Sequence, residues 1–121
     1  METFRDLNAW KEAIKLAKLV YQETRNFPKT EMFGLTSQIR RAAVSIPSNI
    51  AEGNGRLTPK EYLRFLSIAN GSQNELATQL VLAEMLGYLE TDKLNLLTAQ
   101  LNTVGKLITG LRRSLEQPGA A

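Results

Sequence analysis

The chain has 121 residues, of which 43% are hydrophobic and 22% are charged, a composition typical of one folded domain and unlike that of a disordered segment. It contains no cysteine and no histidine, which excludes disulfides, thiolate or histidine metal sites, and histidine-dependent catalysis. The net charge of +3 is a mild basic excess that permits contact with nucleic acid.

The first predicted helix covers residues 6–25. Residues on one of its faces recur at alternating spacings of three and four, the period of an amphipathic helix. Pro28 ends the pattern, because proline disfavours a helical conformation in the preceding residue. Lys11, Lys15, Lys18 and Glu12 fall off this face and are interpreted as its solvated side. Charges also interrupt every apolar run here, so we expect no signal peptide, no membrane span and a cytoplasmic protein.

The second predicted helix covers residues 31–53, with Thr30 as its N-cap and a glycine-rich stop at its end. Pro47 lies inside its apolar pattern. A proline in a helix interior lacks a backbone donor and clashes with the carbonyl four residues earlier, at a cost of about 3 kcal/mol. We therefore expect a kink or a broken turn between Ala43 and Pro47.

The third and fourth predicted helices cover residues 59–86 and 92–116. Thr58 and Pro59 form a strong start signal for the third, and Thr91 is the predicted N-cap of the fourth. The small pair Gly71-Ser72 predicts a close approach of the third helix to the second. Four amphipathic helices joined by short turns predict an all-α fold: one domain, residues 1–121, forming an antiparallel up-down-up-down four-helix bundle.

The positive charge is uneven. Residues 1–60 hold ten Lys or Arg against six Asp or Glu, whereas residues 61–121 hold five against six. The positive field should therefore lie on the first two helices.

The most distinctive block of the chain is Arg40-Arg41-Ala42-Ala43 followed by Ser45-Ile46-Pro47-Ser48-Asn49-Ile50-Ala51-Glu52-Gly53. On this block, and on matching segments over roughly residues 4–90, the chain resembles the four-helix-bundle proteins of the 23S rRNA intervening-sequence family, often labelled S23 ribosomal protein. The resemblance implies a homo-oligomer, typically a pentameric ring of bundles, with no enzymatic activity and no cofactor.

The resemblance also implies partners other than the chain itself. Relatives include accessory proteins of diversity-generating retroelements, which bind nucleic acid and a reverse transcriptase. The expected partners are therefore further copies of the chain, RNA or DNA, and a nucleic-acid-processing protein, with no membrane.

Polar residues of the second helix recur at spacings of three and four beside its apolar face. This α2 polar stripe consists of Arg41, Ser45, Ser48, Asn49, Glu52 and Arg56, with Arg40 on the adjoining flank. In one interpretation the arginines contact phosphates, while Ser48 and Asn49 donate hydrogen bonds to nucleic acid. In the other, the stripe forms a structural network with Ser72, Glu75 or Gln79 of the third helix, within one subunit or across an interface.

These interpretations give two hypotheses: a nucleic-acid-binding or accessory protein, and a protein-interaction scaffold whose polar stripe serves only subunit assembly. A third hypothesis makes Glu52 and Glu75 a catalytic or metal-binding pair. It has little support, because no histidine and no third ligand accompany the two carboxylates.

Overall fold

The computed structural model describes residues 3–119, so the four outermost residues of the predicted domain lie outside it. It contains four α-helices: α1 (Asn8–Glu23), α2 (Leu35–Asn54), α3 (Pro59–Met85) and α4 (Thr91–Glu116). Two short 3-10 helices, Phe4–Asp6 and Lys29–Glu31, precede α1 and α2, and residues 3–119 contain no strand. The predicted all-α fold with four helices is confirmed.

Each helix packs against two others. α2 lies against α1 and α3, with its most extensive contact on α3, and α4 lies against the same two helices. One apolar core fills the space between the four helices, because each contributes the stripe of residues that its period places on one face. Its largest fully buried side chains are Leu16, Ile39, Ile46, Ile50, Leu66, Leu76, Leu80, Leu97 and Ile108.

The start of α2 differs from the prediction. Thr30 is not an N-cap; it lies inside the 3-10 helix, and α2 begins only at Leu35. The carboxylate of Glu31 supplies the cap instead, since its Oε1 accepts a hydrogen bond from the Leu35 backbone N–H at 3.2 Å. This contact satisfies one of the donors that the first turn of a helix leaves free.

The predicted N-cap of α3 is confirmed, and that of α4 is wrong. Thr58 Oγ1 accepts a hydrogen bond from the Glu61 backbone N–H at 3.2 Å, and Pro59 is the first residue of α3. Thr91, by contrast, is the first residue within α4, and its hydroxyl donates to Glu84 Oε2 at 2.9 Å. The Thr91 side chain is thus directed to the end of α3 rather than to the backbone of its own helix.

Pro47 does not interrupt α2, which continues as one helix through it, so the predicted broken turn is wrong. The Pro47 side chain is buried within the bundle. Two residues after the proline, Asn49 Nδ2 donates a hydrogen bond to the Ser45 carbonyl oxygen at 2.8 Å. A side-chain bond of this kind adds a donor to the backbone next to the proline.

The predicted close approach of α3 to α2 is present at Ser72, whose Oγ lies 2.8 Å from Ser45 Oγ, and a second one lies at Gly53. A Cβ atom on Gly53 would come within 2.8 Å of Tyr62 Cδ1 and 3.0 Å of Phe65 Cβ, both on α3. Gly71 is exposed, and a Cβ atom there would meet nothing within 4 Å. Within residues 3–119, no helix is long and apolar enough to cross a lipid bilayer.

Candidate functional site

Part of the α2 polar stripe is bonded inside the subunit. Ser45 Oγ lies 2.8 Å from Ser72 Oγ of α3, and Asn49 Nδ2 donates to Ser45 Oγ at 3.0 Å. All three side chains are half-buried between the two helices. These hydrogen bonds join α2 to α3 and use much of the bonding capacity that Ser45 and Asn49 would otherwise offer to a ligand.

Arg40 is also held within the subunit, on the opposite flank of α2. Its Nε donates a hydrogen bond to Thr24 Oγ1 at 2.9 Å, and its guanidinium carbon lies 4.7 Å from the centre of the Tyr21 ring. Tyr21 lies in α1 and Thr24 directly follows it, so Arg40 joins α2 to the end of α1. A half-buried arginine with a hydrogen bond and an aromatic face is an element of packing rather than a free phosphate contact.

The other stripe residues, Arg41, Ser48, Glu52 and Arg56, are exposed. Arg41 borders a shallow cavity of about 270 Å³ whose other lining residues are Gln38, Glu75 and Gln79. Arg41 and Glu75 thus share one cavity, yet within residues 3–119 neither takes part in an ion pair within 4 Å. Glu52 does not line this cavity, so the hypothetical Glu52 and Glu75 pair is not assembled there.

Arg56 extends the exposed positive charge into the turn between α2 and α3. Its guanidinium carbon lies 4.5 Å from the centre of the Phe65 ring, and that of Arg64 lies 4.7 Å from the same ring. Arg64 Nε also lies 3.2 Å from Glu61 Oε2. The ring therefore holds two cations at this end of the bundle, of which only Arg64 has a carboxylate partner within residues 3–119.

A second set of cations follows α1, and three of them are the lysines predicted for its solvated side. Lys11, Lys15, Lys18 and Arg25 are spaced by four, three and seven residues, are all exposed, and form what we term the α1 cationic stripe. The stripe spans about 21 Å if the helical rise continues to Arg25. Its spacing was visible in the sequence, but a run of lysines on one face does not reveal whether carboxylates neutralise it.

The carboxylates of the same region are less exposed than the lysines, and the prediction that Glu12 lies on the solvated side of α1 is wrong. Glu12 Oε1 accepts a hydrogen bond from Gln100 Nε2 at 3.1 Å, and Glu23 Oε2 lies 3.7 Å from Lys93 Nζ, so both contact α4. Glu31 Oε2 accepts a hydrogen bond from the Tyr88 hydroxyl at 3.0 Å. All three are half-buried. This arrangement leaves the cations of α1 facing solvent while their acidic neighbours have partners inside the bundle.

The hydrogen bond to Glu31 changes the pKa of the Tyr88 hydroxyl. Because the neighbouring carboxylate favours the neutral phenol, the hydrogen bond raises the pKa of Tyr88 above its ordinary value. Within residues 3–119, no group of three or more acidic side chains is placed to hold a metal ion.

The comparisons with known proteins bear on the whole bundle. A family model described as 23S rRNA-intervening sequence protein matches residues 5–110, a range that includes α1, α2, α3 and most of α4. The curated proteins contain no significant match to the chain.

Proposed function

Because the chain belongs to the 23S rRNA-intervening sequence protein family, we propose that it is a non-enzymatic, cytoplasmic protein that binds RNA or DNA as a homo-oligomer. In this role it is an accessory to a nucleic-acid-processing partner. The α1 cationic stripe, with Arg41 of α2 and Arg56 of the turn that follows it, supplies the phosphate contacts.

The observation that carries this proposal is the separation of charges on α1. Lys11, Lys15, Lys18 and Arg25 face solvent with no ion pair within 4 Å in residues 3–119. Their acidic neighbours Glu12, Glu23 and Glu31 are bound to other side chains of the bundle. This face therefore presents four cations without a paired carboxylate in residues 3–119, although the net charge of the chain is only +3. Such a face attracts phosphates, and the release of counterions drives binding.

The test is a fluorescence-anisotropy titration of structured RNA, single-stranded RNA and duplex DNA over a range of salt concentrations. We expect affinity to fall linearly on a log–log plot against salt. Lys15→Gln with Lys18→Gln should weaken single-strand binding about tenfold and flatten the slope by about 1.4, at about 0.7 for each lost phosphate contact.

The matched control is Lys29→Gln with Lys60→Gln, which lowers the net charge equally but removes exposed lysines of the second 3-10 helix and of α3. It should retain most of the affinity. An equal loss in both double variants would show that α1 is not the binding face. Absence of binding to all three nucleic acids at low salt would refute the proposal.

The second candidate function is a protein-interaction scaffold, with the α2 polar stripe as an assembly device. Two observations favour it: Arg41, Ser48 and Glu52 are exposed and free to meet another subunit, and large apolar side chains are exposed near the start of α2 and the end of α3. The latter are Met32, Phe33, Leu82, Met85 and Leu86, which we term the exposed apolar cluster. Apolar patches of this kind often mark interfaces, which supports assembly into an oligomer, in this family a pentameric ring.

We further propose that the chain is one domain whose helices run antiparallel, with α2 kinked at Pro47. Glu12 meets Gln100 and Glu23 meets Lys93, so residue numbers rise along α1 as they fall along the facing α4. The contacts of Ser45 with Ser72 and of Gly53 with Tyr62 support the same relation between α2 and α3. The kink is supported by the missing N–H of Pro47.

A further inference from the structure

A groove separates α3 from α4 on a side of the molecule that the α1 cationic stripe does not reach. It has a volume of about 630 Å³, within the range of roughly 300–1,000 Å³ usual for small-molecule sites. We term it the α3–α4 groove; its lining residues are Asn70, Gln73, Asn74, Ala77, Leu101, Asn102, Gly105, Lys106, Thr109, Gly110 and Arg113.

Small residues keep this groove open. A Cβ atom on Gly105 would lie 2.9 Å from Gln73 Oε1, so the glycine makes room for the Gln73 side chain between the helices. A Cβ atom on Gly110 would meet nothing within 4 Å, because the space beside it is unfilled. Ala77 presents only a methyl group from the α3 side. A pair of helices packed for stability alone would fill this space with larger side chains.

The charged residues that line the groove are both basic. Lys106 and Arg113 lie seven residues apart on α4, with Thr109 between them on the same face. No acidic side chain of residues 3–119 lines the groove, and neither cation forms an ion pair within 4 Å in that part of the chain. An anion is the ligand that such a wall favours, and an arginine with a lysine is a common pair for phosphate.

Gln73 adds to the lining of the groove a side-chain amide that lacks a hydrogen-bond partner for its Nε2 within residues 3–119. Its side chain is only 7% exposed, and among the described residues its Nε2 has no hydrogen-bond partner. A buried donor without a partner destabilises the fold, and a ligand acceptor would remove that cost. The Nε2 atom is closed off from solvent in this rotamer, but the terminal torsion of glutamine is soft and a half-turn exchanges Nε2 with Oε1.

The carboxamides beside Gln73 indicate which chemical group the ligand should carry in addition to a phosphate. Asn70 and Asn74 of α3 and Asn102 of α4 line the groove with Gln73. A carboxamide offers a donor and an acceptor side by side, which matches the paired donor and acceptor on the edge of a nucleobase. A ligand with a phosphate at one end and a base at the other would contact both the basic residues and the carboxamides of the groove.

We propose that the α3–α4 groove binds a nucleoside monophosphate, with its phosphate on Lys106 and Arg113 and its base edge on the carboxamides of Gln73 and its asparagine neighbours. A free nucleotide and the 5′-terminal nucleotide of an RNA strand present the same chemistry. The site shares no residue with the α1 cationic stripe or the α2 polar stripe, so it is independent of the proposed function.

The test is an NMR titration of the full-length protein with AMP, GMP, CMP and UMP, followed through the backbone amide signals. We expect saturable shifts confined to α3 residues 70–77 and α4 residues 101–113. Adenosine and inorganic phosphate should each bind at least about tenfold more weakly than AMP, because each lacks one half of the ligand. Gln73→Leu and Arg113→Gln should each weaken AMP binding about tenfold, the loss of one charge-assisted or buried hydrogen bond.

Gln79→Leu is the matched control. Gln79 is the other buried carboxamide of α3, 9% exposed and with an unpartnered Oε1 among the described residues, but it borders the cavity of Arg41 instead. This variant should bind AMP as the parent does. If Gln73→Leu does not fold, the Arg113→Gln variant decides the result. Arg113 is exposed and forms no ion pair within residues 3–119, so its substitution should not affect folding.

A 5′-phosphorylated trinucleotide separates the two sources of the ligand. Tighter binding than AMP, lost in Arg113→Gln, assigns the site to a strand end, and equal or weaker binding assigns it to the free nucleotide. The proposal is overturned if no nucleotide saturates the shifts at millimolar concentration, if inorganic phosphate binds as tightly as AMP, or if both groove variants bind AMP normally. Loss of RNA binding in the α1 variants would leave this result unchanged, so the two proposals fail separately.

Discussion

Gly53 and Gly71 are both glycines inside helices, but a side chain would collide with a neighbour only at Gly53. The atoms that face Gly53 belong to Tyr62 and Phe65, both of which pack against α2. Phe65 in turn carries the guanidinium groups of Arg56 and Arg64. A larger side chain at Gly53 would therefore displace the Phe65 ring, which contacts Arg56 and Arg64. A larger side chain at Gly71 would displace no neighbour among the described residues.

The two glycines make a matched pair for a stability measurement. Gly53→Ala should lower the free energy of unfolding by about 1–3 kcal/mol, because its Cβ atom would overpack the contact with α3. Gly71→Ala should raise it by up to about 1 kcal/mol, because alanine is the better helix former and the site is open. Urea denaturation followed by circular dichroism measures both. Equal effects at the two sites would show that helix propensity, not the α2–α3 contact, dominates at Gly53.

At the scale of single elements, the helix ends show two kinds of capping. The start of α3 is set by its own neighbours, since Thr58 caps the backbone three residues later. The start of α2 is set by the Glu31 side chain, which accepts from Leu35 and also from Tyr88, 57 residues further along the chain. Local rules predict the first arrangement, and the second requires the α3–α4 turn to be in place.

Thr58→Ala should therefore cost about 1 kcal/mol of stability, the usual effect of losing an N-cap side chain. Thr91→Ala is its control: Thr91 lies one residue inside α4 and does not cap it, so its removal should change stability by less than about 0.5 kcal/mol. Thermal or urea unfolding of both variants checks this. A loss at Thr91 as large as that at Thr58 would show that the hydrogen bond from Thr91 to Glu84 stabilises the fold as much as an N-cap does.

At the scale of the whole molecule, we expect the proposed oligomer to form its contacts at the exposed apolar residues. Phe33 is 94% exposed and Met85 is 76% exposed, one beside the start of α2 and the other at the end of α3. The hydrogen bond between Glu31 and Tyr88 brings these two regions together. Leu57 is equally exposed, but it lies in the turn between α2 and α3, at the other end of both helices.

We expect Phe33→Ser with Met85→Ser to lower the mass of the assembled protein in light scattering after size-exclusion chromatography, because an apolar interface would lose its contacts. Leu57→Ser is the control and should leave the mass unchanged. Arg41→Ala and Glu52→Ala test the α2 polar stripe by the same measurement. If neither alters the mass, the stripe does not hold subunits together, and the scaffold hypothesis loses its assembly device.

The sequence by itself determined the class of fold. The period of the apolar residues and the start signal at Thr58-Pro59 depend on neighbours a few positions away, so they predicted four helices and most of their limits. The same local information located the α2 polar stripe on one face of its helix. It could not reveal which of those polar groups would find partners.

Tertiary structure alone decided which charges remain free. Arg40 and Arg41 are adjacent, yet Arg40 bonds to Thr24 of α1 while Arg41 faces solvent. Glu12 bonds to Gln100, at a separation of 88 residues, and forms no ion pair with a neighbouring lysine of α1. Gln73 lies in a groove because Gly105 of another helix makes room for it. Helical spacing fixes the face on which a side chain lies, but its partners belong to other helices, and only their packing brings those partners together.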